Sequence, residues 1–227
     1  MNKNRIALLS VALTALLLTG ISSCEKEDNT DNTPATAKLK TYSYTDPRDS
    51  RYDVTESYTY DANGRISTIT HADYYYNGTT TYTFGSNTVS SASTYAGTRV
   101  YALNAEGYAT TETIPGDTTY TYLYDAAWHL LQDGEGTYEW TGDNLTTDRK
   151  IYQNYEYTDK TNTIGNSNKG ITFLGRDSKN LPSKRMAFIP AECLFSYDFD
   201  AQNRVTRKIG ISDFNMDTLE ISTYTYY

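Results

Sequence analysis

The sequence predicts an all-β fold: an antiparallel meander of about sixteen strands, built from repeated hairpins and curved into either an open sheet or a barrel-like wall. Three observations carry that expectation. Helical signals are nearly absent, since no window longer than about ten residues keeps an i, i+3, i+4, i+7 apolar stripe unbroken by Gly, Pro or a Thr run. Turn signals recur at roughly ten-residue spacing, as a meander requires. Tyrosine supplies much of the packing surface, with 23 copies against 6 phenylalanines. A Tyr ring covers apolar area while its hydroxyl stays hydrated, so a thin, Tyr-clad sheet follows and not a thick Leu/Ile core.

The clearest hairpin is residues 58–70. Tyr58 and Tyr60 share one face of a strand, because side chains alternate with period two. Asp61 can bond the backbone two residues on and start a turn. Gly64 supplies the positive φ that a short hairpin loop needs. From Arg65 the chain is extended again and rich in Ile and Thr, which suit a pleated surface. Other strands are expected, in order, at 38–45, 53–60, 65–75, 79–84, 88–95, 98–103 and 118–124. Asp46-Pro47 ends the first. Asn77-Gly78 is the strongest short hairpin signal and is expected to form a type I′ turn after 72–76. Asn104-Ala105-Glu106-Gly107 repeats the 61–64 turn with Asn for Asp. Asp125-Ala126-Ala127-Trp128 repeats it with Trp in the Gly place. Residues 138–140, the turn 141–144 and 145–152 form a further copy. Residues 197–205 are the last clear one, with Asn203 at the Gly position, and Asn tolerates the left-handed region. Ser178 to Pro182 is expected to be an ordered connection, with Pro182 opening a strand. Residues 219–227 close the chain as a terminal strand.

The amino terminus is a targeting segment. Lys3 and Arg5 form a positive region, and the uncharged apolar stretch 6–18 is too short to span a membrane and suits a signal-peptide core. Ile21-Ser22-Ser23-Cys24 resembles a bacterial lipobox, which implies lipidation of Cys24 after removal of 1–23. Lys26-Glu27-Asp28 resembles the surface-export signal of Bacteroidota lipoproteins. Residues 24–37 then form a flexible acidic tether, and 38–227 a single all-β domain. Loss of Lys3 and Arg5 with the leader takes the net charge from −8 to −10. That charge argues against nucleic acid and against electrostatic docking to anionic lipid. With Cys24 lipidated, Cys193 has no partner, so no disulfide framework and no cysteine zinc site is expected. Cys193 in Ala191-Glu192-Cys193-Leu194-Phe195 reads as a buried strand residue.

Tyr60-Asp61-x-x-Gly64-Arg65 resembles the YD repeats of bacterial Rhs-type shells, and the other hairpins match it in part. The stretch from Leu174 to Lys184, the 197–205 repeat and the lipobox together resemble a Bacteroidota lipoprotein family with a porin-like fold. The resemblance covers about residues 38–227 and implies a curved, antiparallel, many-stranded sheet; it brings no activity with it. A membrane barrel is not expected. Alternate strand positions are Thr, Ser and Tyr, as in Thr79-Thr80-Thr81-Tyr82-Thr83, where a lipid-facing band needs apolar residues. The implied attachment to the membrane is through the lipid anchor only, at the outer membrane and exposed on the cell surface.

No sequence pattern singles out a catalytic or metal centre. The histidines are His71 and His129, with no metal-ligand spacing. Asp198-Phe199-Asp200 lacks the central Gly and distal Glu of a calcium loop. No nucleophile elbow, phosphate loop or dinucleotide fingerprint is present. No cofactor, no metal and no enzymatic activity are therefore expected. The candidate ligand-binding residues are aromatic. Tyr74, Tyr75 and Tyr76 cannot all face one core from a strand, and Trp128 and Trp140 stand at two successive repeat turns. Exposed rings can stack on sugar faces, and cross-strand Tyr pairing is the alternative. Asp117-Thr118-Thr119 and Asp217-Thr218-Leu219 resemble Bacteroidota O-glycosylation sites, at Thr118 and Thr218. The expected role is a monomeric, non-catalytic surface protein that binds a glycan or a surface protein. The alternatives are an envelope interaction protein without a small ligand and, less well supported, a glycan hydrolase.

Overall fold

The computed structural model describes residues 37–187 and 192–227. The expected leader, the lipidation site Cys24 and the tether through Thr36 lie outside the described residues. One turn chemistry recurs along the chain. The Asp61 N–H donates to Arg65 O at 2.9 Å, and Gly64 N–H donates to Asp61 O at 3.0 Å. Asp61 Oδ1 accepts from the N–H groups of Asn63 and Arg65. The same four bonds form at Asn104–Tyr108, Asp125–His129 and Asp200–Arg204. The fourth residue of each has positive φ: Gly64 at 72°, Gly107 at 89°, Trp128 at 67° and Asn203 at 59°. The second carboxylate oxygen of each Asp takes the residue closing the turn, Arg65, His129 or Arg204. Where the acid is replaced by Asn104, the closing residue is the uncharged Tyr108. The next residue is fully buried after three of the four turns: Ile66, Ala109 and Val205.

These turns link a long meander. The first part comprises β1 (Leu39–Thr45), β2 (Val54–Tyr60), β3 (Ile66–Asp73), β4 (Asn77–Phe84), β5 (Thr88–Ser93) and β6 (Gly97–Leu103). Then come β7 (Ala109–Thr113), β8 (Thr119–Thr121), β9 (Leu123–Tyr124), β10 (Leu130–Gln132), β11 (Tyr138–Thr141) and β12 (Asn144–Asp148). The last are β13 (Gln153–Thr161), β14 (Asn180–Ala187), β15 (Glu192–Phe199), β16 (Val205–Ser212) and β17 (Thr218–Tyr226). Fifteen of them form one antiparallel sheet in the order β11 to β17, then β1 to β8. The first and last strands pair, Tyr42 opposite Tyr224, so the chain ends meet in mid-sheet. The ladder is not closed by hydrogen bonds: β11 and β8 are its edges, and β9 and β10 pair as a separate ribbon.

The sheet curls around the 162–179 connection between β13 and β14. Phe173 packs on Phe84 of β4 and Tyr101 of β6, while Ser178 accepts from the Leu145 N–H of β12 at 3.0 Å. Laid flat, β12 and β6 would stand about 50 Å apart at the usual strand spacing, yet Phe173 and Ser178 can be separated by no more than about 18 Å of chain. Only a strongly curved sheet satisfies both contacts. This strap also takes over backbone groups that the sheet ends leave unpaired. Leu39 N–H donates to Asn168 O, and Ile66 N–H donates to Gly170 O. Thr163 Oγ1 accepts from Val205 N–H at 2.9 Å.

The inner face is layered. Next to the strap, Leu39, Ile66, Val89, Ala109, Phe173, Leu181 and Val205 form the apolar core with Tyr58, Tyr101 and Tyr224. Further along the strands the interior turns polar, and its acids are paired. Tyr58 OH donates to Glu56, and Tyr122 OH donates to Glu112 at 2.5 Å. Arg99 pairs with buried Glu112. Buried Glu220 meets Lys208 at 2.7 Å and Arg185 at 3.1 Å. Burial pushes the Glu220 carboxyl up, but these two cations outweigh it and hold it below the usual carboxylate range.

Several sequence expectations are corrected. Asn77-Gly78 is not the turn: Tyr74–Tyr76 is, because Asp73 Oδ1 accepts the N–H groups of Tyr75 and Tyr76 and Asn77 already pairs with Ala72. Gly78 instead allows a close approach, since a Cβ there would collide with Thr94 Oγ1. Trp140 is not at a turn but inside β11. Pro182 is the third residue of β14, at a slip in the β13–β14 register, where a missing N–H breaks no regular ladder. The 145–152 strand stops at Asp148, which caps the N–H groups of Lys150 and Ile151. Cys193 is buried in β15 as expected.

Two outcomes follow. Phe173→Ala should destabilise the domain by about 3–5 kcal/mol in denaturant unfolding, the usual cost of emptying an aromatic core position. Burial also pushes the phenols of Tyr42, Tyr82 and Tyr155 up to about 12 from 10.0. The folded state thus favours the neutral phenol. Stability should be intact below pH 10 and fall between pH 10 and 12, as the unfolded chain gains the ionised form. Absorbance titration should show these phenols ionising together with loss of the β-sheet circular dichroism signal.

Candidate functional site

Side chains of β11 to β13 and the strap line an open cavity of about 350 Å³. Its aromatic side is Tyr138 and Trp140 from β11 with Tyr155 and Tyr157 from β13. Each pair is spaced by two, so both members face the same side of the sheet. Leu130, Leu145 and Pro182 add apolar wall, and the strap contributes Asn162, Asn166 and residues 174–178. The volume lies in the range of small-molecule sites.

The rings are fixed by bonds at their polar tips. Trp140 Nε1 donates to Leu130 O at 2.7 Å, and its ring stacks on His129 at 4.4 Å and 13°. Tyr157 OH donates to Leu145 O at 2.6 Å, Tyr155 OH to Gln153 Oε1 at 2.7 Å and Tyr138 OH to Asp133 Oδ2 at 2.8 Å. Burial pushes the phenols of Tyr138 and Tyr157 up as well, so all three remain neutral near pH 7.

The strap wall is held by Asp177, which accepts from the N–H groups of Asn166 at 2.9 Å and Ser167 at 2.8 Å. Gly165 makes room for that cap: a Cβ there would lie 2.5 Å from the carboxylate. Arg176 N–H donates to Trp128 O, tying the strap to the 125–129 turn. Among the described residues, the side chains of Asn166 and Arg176 have no hydrogen-bond or ion-pair partner. They are the polar groups of the cavity left open to a ligand.

The five aromatic candidates do not form one site. Trp140 lines the cavity. Trp128 stands beside it at the turn, stacked on Tyr108 at 4.6 Å and 14°. Tyr74, Tyr75 and Tyr76 lie at the opposite end of the sheet, exposed on the β3–β4 tip, with Tyr76 stacked on Tyr95. Thr118 and Thr218 are half-buried next to hairpin tips at that same end. Sequence inspection missed Tyr138, Tyr155, Tyr157, Asn166 and Arg176. The signal available was the paired spacing Tyr138/Trp140 and Tyr155/Tyr157.

Among solved structures, a porin-like protein from Bacteroides uniformis matches with a TM-score of 0.59 and 17% identity, over 85% of this chain and 98% of its own. A porin-like protein from Bacteroides vulgatus matches at 0.46 and 11% identity, over 85% and 99%. No family model and no curated protein sequence matches. The first likeness shows a shared fold, the porin-like architecture of a Bacteroides protein, in agreement with the fold the sequence resemblance implied.

Gly165→Ala should cost about 1–3 kcal/mol in denaturant unfolding, because the added methyl displaces the Asp177 cap. Asp177→Ala should cost a similar amount, and the double variant should cost little more than either alone.

Proposed function

We propose that the protein is a non-catalytic surface lipoprotein, anchored through Cys24, that binds a saccharide in the cavity beneath the strap. The observation that carries this is the pairing of fixed aromatic faces with two uncommitted polar groups, Asn166 and Arg176. A sugar needs both kinds of surface: an apolar ring face to stack on and hydrogen-bonding groups at its edge. Pre-fixed rings lose little freedom on binding, which favours affinity. A binding role is preferred over hydrolysis because Asp177, the acid lining the cavity, is committed to two backbone N–H groups. A glycosidase needs two carboxyl groups flanking the scissile bond.

The test is a glycan-array screen of the chain from Cys24 onward with Cys24→Ser, followed by calorimetry on any hit. Trp140→Ala, Asn166→Ala and Arg176→Ala should each weaken binding by about tenfold or more, the cost of about 1.4 kcal/mol in lost contacts. Asn166 and Arg176 leave the core untouched, so those two variants separate lost binding from lost folding. Binding unchanged in all three would place the ligand elsewhere, and no binding to any glycan would remove the saccharide reading.

A further inference from the structure

The end of the sheet opposite the strap carries a different chemistry. In sheet order, β16–β17, β1–β2, β3–β4 and β5–β6 are four consecutive hairpins whose tips fall at that end. All four present large exposed side chains: Phe214 and Met216 on the first, Tyr52 on the second, Tyr74 and Tyr75 on the third and Tyr95 on the fourth. Phe214 is 87% and Met216 67% exposed, far more than a side chain resting on its own protein. Hairpins two strand spacings apart place neighbouring tips about 10 Å from each other. The result is a row of apolar side chains about 30 Å long, continuous from Tyr74 to Tyr95 through the stacked ring of Tyr76, and not a groove.

We propose that this row seats the protein on a phospholipid surface, with the side chains entering the headgroup boundary. Four arguments favour lipid over a protein partner. Side chains protruding from hairpin tips suit a soft medium that flows around them, whereas a protein would need matching pockets along the row. Tyrosine dominates the row, and its apolar ring with a polar tip suits the membrane–water boundary. Acids beside the row have basic partners: Asp46 with Arg48 at 2.7 Å, Asp49 with Arg51 at 2.5 Å and Asp73 with His71 at 2.9 Å. Asp213 and Asp217 flank Phe214, so the lipid is zwitterionic and not anionic. Chain length also permits it. β1 starts at the strap end, so for Cys24 to reach the same membrane, residues 24–37 need a reach of one sheet length. Residues 24–37 can extend about 45 Å, and a nine-residue strand such as β17 measures about 30 Å. Seated this way, the cavity beneath the strap faces away from the membrane. The seating is independent of what that cavity binds.

The test is flotation of the chain from Cys24 onward with Cys24→Ser, which removes any acyl contribution, on phosphatidylcholine vesicles. Wild type should float, and the double variant Tyr75→Ser, Phe214→Ser should partition about tenfold less, since both side chains lose apolar contact with lipid. Phe199→Ser, on an exposed strand position at the strap end, should float as wild type does. Matched melting curves establish that all are folded. Failure of wild type to float, or equal flotation of the double variant, overturns the proposal. So does a concentration-dependent dimer in sedimentation velocity that the double variant abolishes, because the row would then join two copies of the chain.

Discussion

The contact on which the rest of the structure depends is the insertion of the 162–179 strap into the curl of the sheet. Phe173 touches β4 and β6, and within a few residues Ser178 holds β12. That forces distant strands to face one another and gives a thin sheet two sides of a core. The strap answers the edge problem as well, because the carbonyls of Asn168 and Gly170 take the N–H groups of Leu39 and Ile66. Buried backbone groups without such partners would be costly. The cavity exists for the same reason: its floor is sheet and its far wall is strap.

Tyrosine makes this arrangement workable in a chain with few aliphatic residues. Near the strap the rings pack as hydrocarbon. Farther along, their hydroxyls meet Glu56 and Glu112, and the buried acids Glu112 and Glu220 have Arg99, Arg185 and Lys208 beside them. A buried acid is tolerable when paired and strongly destabilising when its partner is lost. The polar half of the interior therefore depends on register: a one-residue slip would turn every one of these side chains to the other face.

The repeated turns were legible in the sequence because their chemistry is local. An Asp or Asn, a left-handed residue three positions on and an apolar residue two beyond that suffice to locate the 61–65, 104–108 and 200–204 turns, and even Trp128 could be placed at a glycine position. Where two turn signals competed, the sequence misled. Asn77-Gly78 is the stronger motif, but Asp73 caps the 74–76 loop first and leaves Gly78 a steric role. Trp140 was misplaced for a related reason, since the strand it occupies is only four residues long. The strap was nearly invisible. Ile164, Ile171, Phe173 and Leu174 lie in an Asn-, Ser- and Gly-rich stretch without period, and their burial is decided by strands far away in the chain. The cavity inherits that difficulty, being formed by a legible strand pair and an illegible strap.

The two ends of the sheet thus differ in kind: one is capped by a packed strap above an aromatic cavity, the other ends in bare apolar tips. The central claim is that the strap is an integral part of the fold and holds the curl. Native-state hydrogen exchange of the Leu39, Ile66 and Arg176 amides tests it most directly, since all three donate to carbonyls across the strap boundary. If the claim is right, they exchange only through global unfolding, with the same free energy as the amides in the middle of β16 and β17. If they exchange through a local opening while β16 and β17 stay protected, the strap is a loosely laid cover and the curl has another cause.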